Sequence, residues 1–214
     1  MSISEGSQGY EYPAKVAWRK YVHGELLKRS LNLTEDGKLS GLYLEAVGLN
    51  ANCFKQILNA GVIAESQLIG LDLDPNNETR SKKNISTCRK LFSAASFYAE
   101  TFSAYCYHTK TKVAYMVYDV FTSTHGDAFE NNLRACFTLV TSSLTELDQV
   151  LLVINADVGV AVRHNKTVTG FRKLVSGIGA MYDIPKVDVA GAEMYEYQNT
   201  PTSTRMGTIV LDFH

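Results

Sequence analysis

What most limits the fold of this chain is the order in which short apolar runs and amphipathic runs follow one another along its 214 residues. Residues 42–47 (LYLEAV) read as a short apolar strand, and Phe54, Ile57 and Leu58 form the i, i+3, i+4 stripe of a helix that Gly61 is suited to end. Residues 67–73 (QLIGLDL) read as a second strand. Pro75 and Asn76 then open a helix to about Leu91, with Ile85, Cys88 and Phe92 on one side and most of its basic residues on the other. The aromatic-rich segment 97–107 reads as an irregular third strand and 113–121 (VAYMVYDVF) as a fourth. Asp127, with Glu130 three residues later, is a capping box for a helix carrying Phe129, Leu133, Phe137 and Val140, and a fifth strand follows at 149–155. Thr167 or Thr169 can cap a helix with Phe171, Leu174, Val175 and Ile178 that stops before Pro185. The last thirty residues change character: 187–198 and 205–213 are two strands with no helix between them, so they can pair only as an antiparallel hairpin.

Repeated strand and helix units predict an α/β fold, a mostly parallel seven-stranded sheet with helices on both faces and a C-terminal antiparallel hairpin. A single domain over 1–214 is expected, residues 1–40 being an N-terminal helical extension with an amphipathic stretch from about Ala14 to Leu31, and 41–214 the core. In such sheets ligands sit at the carboxyl ends of the strands, which is where functional side chains should be sought.

Charge narrows the function. Lys and Arg number 21 against 22 Asp and Glu, which excludes a wholesale electrostatic binder of nucleic acid and leaves a local patch to be found. Ten of the 21 lie in two segments, Lys15, Arg19, Lys20, Lys28 and Arg29 near the N-terminus and Arg80, Lys82, Lys83, Arg89 and Lys90 in the second helix. Solvated helix faces are the commoner explanation, but Tyr10, Tyr12, Trp18 and Tyr21 beside the first group offer surfaces for stacking on bases, or else pack on the sheet. No run approaches the roughly 18 apolar residues of a membrane span and the N-terminus is polar, so a cytoplasmic protein is expected. Cys53, Cys88, Cys106 and Cys136 are far apart, which indicates no metal site and no disulfide framework.

Several acids stand where a ligand is expected. Asp72, at the end of the second strand, can accept hydrogen bonds from both hydroxyls of a ribose, whereas Asp74 before Pro75 reads as a turn residue. Glu45 leaves the first strand shortly before Gly48 and can meet a cationic group; its bland alternative is a half-buried carboxylate satisfied by backbone amides. Asp119 follows the apolar run VAYMVY, where an unpaired charge is costly, so it faces a ligand or caps the next loop. His125 is a candidate base, against the commoner reading of a solvated loop histidine.

The stretch GLDLDPNNETRSKKN (70–84) resembles the second-strand signature of class I S-adenosylmethionine-dependent methyltransferases. LYLEAVGLNANCF resembles their first motif with one glycine, Gly48, and VAYMVYDVFTS their fourth-strand motif; the resemblance spans about residues 41–214. It implies S-adenosylmethionine as cofactor, with Glu45, Gly48, Asn50, Asp72, Leu73, Thr101, Phe102 and Asp119 as its binding residues and Asp119 and His125 as catalytic. It also implies transfer of an already activated methyl group, for which alignment matters more than a catalytic triad. No Pro-Pro-aromatic sequence follows Asp119, which disfavours amine methylation on DNA bases. RNA ribose methyltransferases resemble the chain in size and ending, with Thr204-Arg205 before the last strand, but Asn155 departs from them by standing where they carry a lysine; RNA or another macromolecular substrate is the expected partner, met through the N-terminal basic segment. The alternative from another class is a non-catalytic binding protein that keeps the fold, such as a subunit or a viral or plasmid accessory factor.

Overall fold

A computed structural model describes residues 12–48, 51–72, 77–123, 127–157, 175, 177, 180–182, 194–198, 200 and 205–214, with backbone alone at 120–123, 127 and 128. The elements are α1 (Pro13–Arg29), β1 (Tyr43–Ala46), α2 (Asn52–Asn59), a 3-10 turn (Glu65–Gln67), β2 (Leu68–Leu71), α3 (Glu78–Leu91), β3 (Ser96–Tyr98), α4 (Phe102–His108), β4 (Tyr115–Ser123), α5 (Asp127–Ser143), β5 (Val150–Asp157), β6 (Met194–Gln198) and β7 (Arg205–Phe213). Seven strands form one sheet in the order β3-β2-β1-β4-β5-β7-β6. All neighbours are parallel except β7, which runs antiparallel to both β5 and β6.

Side-chain alternation splits the core into two layers. Leu44, Ile69, Met116, Leu152 and Ile209 pack with α4 and α5 on one face, and Tyr43, Leu68, Val117, Val153 and Val210 pack with α1, α2 and α3 on the other. Because β5 is covered on both faces, seven of its eight residues are buried and it reads as an unbroken apolar run. Gly70 in β2 is dictated by packing: a Cβ there would sit 2.6 Å from the Phe97 ring and 2.9 Å from Val47.

The expected seven strands, mostly parallel sheet and closing hairpin are all present. One segment is corrected: of 97–107 only residues 96–98 are strand, and Phe102–His108 is α4, capped by Thr101, whose hydroxyl accepts from the Ala104 N–H. Phe102, Tyr105 and Cys106 are its buried i, i+3, i+4 stripe, so helical spacing overrides the strand preference of the aromatics. The helix expected to open at Pro75 begins instead at Glu78, under an Asn77 cap. Of the helix expected after Thr167, Val175, Gly177 and Ala180 are helical; its start, and residues 187–193 of the sixth strand, lie outside the described residues.

Candidate active site

Asp119, Asn155 and Thr208 are register partners across β4, β5 and β7, so their side chains emerge from the same sheet face side by side. β1 stops pairing with β4 at Val117, so Asp119 lies where β4 outruns its neighbour. Onto this row α1 lays Lys15 and Trp18, three residues apart and therefore on one helix face.

The result is a buried hydrogen-bonded chain. The Trp18 indole N–H donates to Thr208 Oγ1 (2.7 Å), and the Thr208 hydroxyl donates to Asn155 Oδ1 (2.8 Å). Asn155 Nδ2 donates to Asp119 Oδ1 (2.6 Å) and to the Tyr197 hydroxyl (2.9 Å). Lys15 Nζ donates to Asp119 Oδ2 (2.6 Å) and to the Tyr197 hydroxyl (3.2 Å), and lies 3.9 Å from the centre of a Trp18 ring. Burial alone would lower the Lys15 pKa, yet the charge of Asp119, the influence of Tyr197 and their hydrogen bonds together raise it above its ordinary value. Lys15 is therefore a fixed ammonium. The orientation of Asn155 is equally determined, because its amide oxygen could not face the Asp119 carboxylate.

Glu45 is 3% exposed and lies on the same face as this row. The Tyr43 hydroxyl donates to its Oε2 at 2.6 Å. Burial lifts the Glu45 carboxyl to about 7 despite that bond, with Asp119 adding to the rise and Arg19 and Lys15 opposing it. Arg19 Nη1 donates to Gln56 Oε1, and Gln56 Nε2 donates to the Val16 carbonyl, tying α1 to α2.

Asp72 follows β2 and is half-buried. Asn84 Nδ2 (2.9 Å) and Ser81 Oγ (3.4 Å) of α3 donate to its carboxylate and orient it. An oriented carboxylate at a strand end suits the vicinal hydroxyls of a ribose. Thr101 spends its oxygen on the α4 cap, and Phe102, 6% exposed, packs its ring against Tyr118. Gly48 ends the described part of the loop after β1, whereas Asn50, Leu73 and His125 lie outside the described residues.

The N-terminal basic segment is only partly the solvated surface considered for RNA: Lys20 and Lys28 are exposed, and the others are not. Lys15 and Arg19 are buried, Lys28 and Arg29 pair with Glu25, Trp18 is 1% exposed, and Tyr21 stacks on Tyr195. Lys15, Arg19 and Trp18 are buried because α1 covers the sheet and turns their face to the core, whereas the Lys28 and Arg29 pairs with Glu25 are contacts within the helix. On α3, by contrast, Arg80, Lys82, Lys83 and Lys90 are exposed. Among the described residues no group of acids, histidines and cysteines is placed to hold a metal ion, and no helix is long and apolar enough to cross a membrane.

Sequence reasoning singled out Asp119 and missed its partners Lys15 and Asn155, as well as Thr208 and Tyr197, which bond to those two. A signal existed for Lys15: it occupies the stripe of Trp18, Val22 and Leu26, and a lysine on an apolar stripe needs a buried anion.

The sequence matches no protein-family model and no curated protein. Solved structures do resemble it. The O-methyltransferase from Bacillus cereus, in complex with SAH, aligns with a TM-score of 0.56 at 12% identity over 96% of this chain and 85% of that one. The N-methyltransferase NodS from Bradyrhizobium japonicum, in complex with S-adenosyl-L-homocysteine, aligns with a TM-score of 0.54 at 16% identity over 95% and 89%. Spermidine synthase from Thermotoga maritima aligns with a TM-score of 0.56 at 12% identity over 93% of this chain and 60% of that one. The similarity is therefore one of architecture and does not by itself choose the reaction. The chain has the Rossmann-like fold of the class I S-adenosylmethionine-dependent methyltransferases.

Proposed function

We propose that the protein is an S-adenosylmethionine-dependent methyltransferase. The observation that carries this reading is the coincidence of the strand order with acids at the carboxyl ends of three neighbouring strands, Glu45 on β1, Asp72 after β2 and Asp119 on β4. Asp72, oriented by Ser81 and Asn84, would hold the ribose of the cofactor. The bound cofactor supplies a methyl group already activated by its sulfonium. What remains for the protein is alignment. Lys15 and Asn155 fix the two oxygens of Asp119, and the fixed carboxylate orients the donor hydrogen of a methyl acceptor. RNA as that acceptor draws support from the exposed basic residues of α3, and from α1 only through Lys20 and Lys28.

The second reading, a binding protein that keeps the fold, is favoured by the single glycine of the first loop, Gly48. Tritiated S-adenosylmethionine offered with cellular RNA, DNA and protein fractions separates the two. Labelled RNA is the expected result. Cofactor binding without transfer to any fraction would favour the binding protein.

A further inference from the structure

The Tyr197 hydroxyl sits beside Asp119 with both faces of its oxygen occupied, since Lys15 Nζ and Asn155 Nδ2 each donate to it. A phenol oxygen has two lone pairs and one hydrogen. With both lone pairs engaged, the hydrogen must point in a third direction, and Tyr197 has no acceptor for it among the described residues, although its side chain is only 8% exposed. Burying a donor without a partner is costly, so the hydrogen calls for an acceptor that arrives with a ligand. The orientation is not adjustable. Trp18 sets Thr208, Thr208 sets Asn155, and Asn155 together with Lys15 sets Tyr197. The same Asn155 and Lys15 atoms hold Asp119, so a hydrogen-bond acceptor is tied to the Tyr197 donor through two shared nitrogen atoms.

We propose that Tyr197 and Asp119 together recognise the methyl acceptor as a hydroxyl group, with Tyr197 donating to the acceptor oxygen and Asp119 accepting its hydrogen. The inference rests on the methyltransferase reading and names the acceptor atom. A hydroxyl oxygen has one hydrogen and two lone pairs, so it satisfies Asp119 with the hydrogen and Tyr197 with one lone pair, and keeps the other lone pair for the methyl group. A neutral amine has a single lone pair; using it for attack leaves the Tyr197 hydrogen buried and unbonded. On transfer the oxygen to methyl bond forms, the carbon to sulfur bond of the sulfonium breaks with its electron pair retained by sulfur, and the hydroxyl proton leaves through the Asp119 carboxylate to solvent. The products are a methyl ether and a neutral thioether.

The test begins with the full chain, tritiated S-adenosylmethionine, and cellular RNA, protein and small-molecule fractions as probes. Label that survives mild alkali and is released as volatile methyl iodide by hydriodic acid marks an ether, the expected product. The labelled fraction is then purified, and its binding to the protein without cofactor is measured by calorimetry. Tyr197→Phe keeps the ring that stacks on Trp18 and should weaken that binding about tenfold and slow transfer by at least as much, while binding S-adenosylmethionine like the parent. Label on nitrogen, or as an alkali-labile ester, overturns the hydroxyl inference and leaves the methyltransferase reading standing. Ether label with an unimpaired Tyr197→Phe removes Tyr197 from acceptor recognition. Cofactor binding with no label in any fraction overturns both.

Discussion

Replacing Lys15 by methionine should expose how much of the fold rests on one buried ion pair. Lys15 Nζ is 2.6 Å from Asp119 Oδ2, and the two side chains are 1% and 9% exposed. Methionine keeps nearly the length and volume of the lysine stem, so the cavity contribution is small and the change is chiefly the lost charge. Asp119 is left with Asn155 as its one described hydrogen-bond donor, and Tyr197 loses one of its two. Removing one partner of a buried pair costs about 3–5 kcal/mol, a large share of the roughly 5–15 kcal/mol that keeps a domain folded. For a chain of this size each kcal/mol moves the midpoint by about 2–4 °C, so Tm should fall by roughly 6–20 °C. Urea unfolding followed by circular dichroism reads the loss, with an unchanged m-value as the control for two-state behaviour. Lys15→Met/Asp119→Asn removes both charges and should recover at least about 2 kcal/mol of it. A single-variant loss below about 1 kcal/mol, or strict additivity in the double variant, would refute the claim that the pair is buried and coupled.

Asp119→Asn should cut methyl transfer at least about a hundredfold in the tritium assay, because the amide no longer accepts the acceptor's hydrogen in the same way; a rate within threefold of the parent would remove Asp119 from the reaction. Two buried groups give opposite pH dependences. Glu45, raised to about 7, contributes stability that is present below its ordinary value near 4.5 and is lost as pH rises through 7, on the order of 3 kcal/mol in all. His23, lowered to about 4 by burial and by Arg19, contributes stability that is present above about 6.5 and is lost as pH falls through 4. Between about pH 4.5 and 6.5 the two slopes oppose one another. Glu45→Gln should therefore flatten the unfolding profile between pH 6.5 and 8 and steepen the loss towards pH 4; an unaltered profile contradicts the assignment. Gly70→Ala forces a Cβ to 2.6 Å from Phe97 and should cost about 1–3 kcal/mol, read by thermal unfolding, with no loss meaning that β3 yields freely.

The sheet was legible because its strands are buried runs of one kind and its helices carry stripes of another. β5 (VLLVINAD) and β7 (RMGTIVLDF) cannot be mistaken for amphipathic helices, and the short turn-rich sequence NTPTSTR before the last strand leaves only an antiparallel pairing to be expected. α4 was hidden because Phe102, Tyr105 and Cys106 satisfy strand preference by type and helix period by spacing, and the spacing decides once α5 covers it. Of the site, the acids at strand ends were visible, since a carboxylate after an apolar run announces itself. Their partners were not: Lys15 and Asp119 are 104 residues apart, and Tyr197 meets Lys15 across 182. Trp18 illustrates the same limit, reading equally well as a stacking surface or a core residue until Thr208 receives its N–H.

The central claim is that the carboxyl ends of β1, β2 and β4 form a site for an adenosine-bearing sulfonium cofactor. Calorimetric titration of the protein with S-adenosylmethionine tests it directly. Saturable one-to-one binding is predicted for the parent, with Asp72→Ala weaker by more than tenfold, about 1.4 kcal/mol or more, because the ribose hydroxyls lose their charged acceptor. No heat of binding with the folded parent, or equal affinity in parent and Asp72→Ala, would contradict the account.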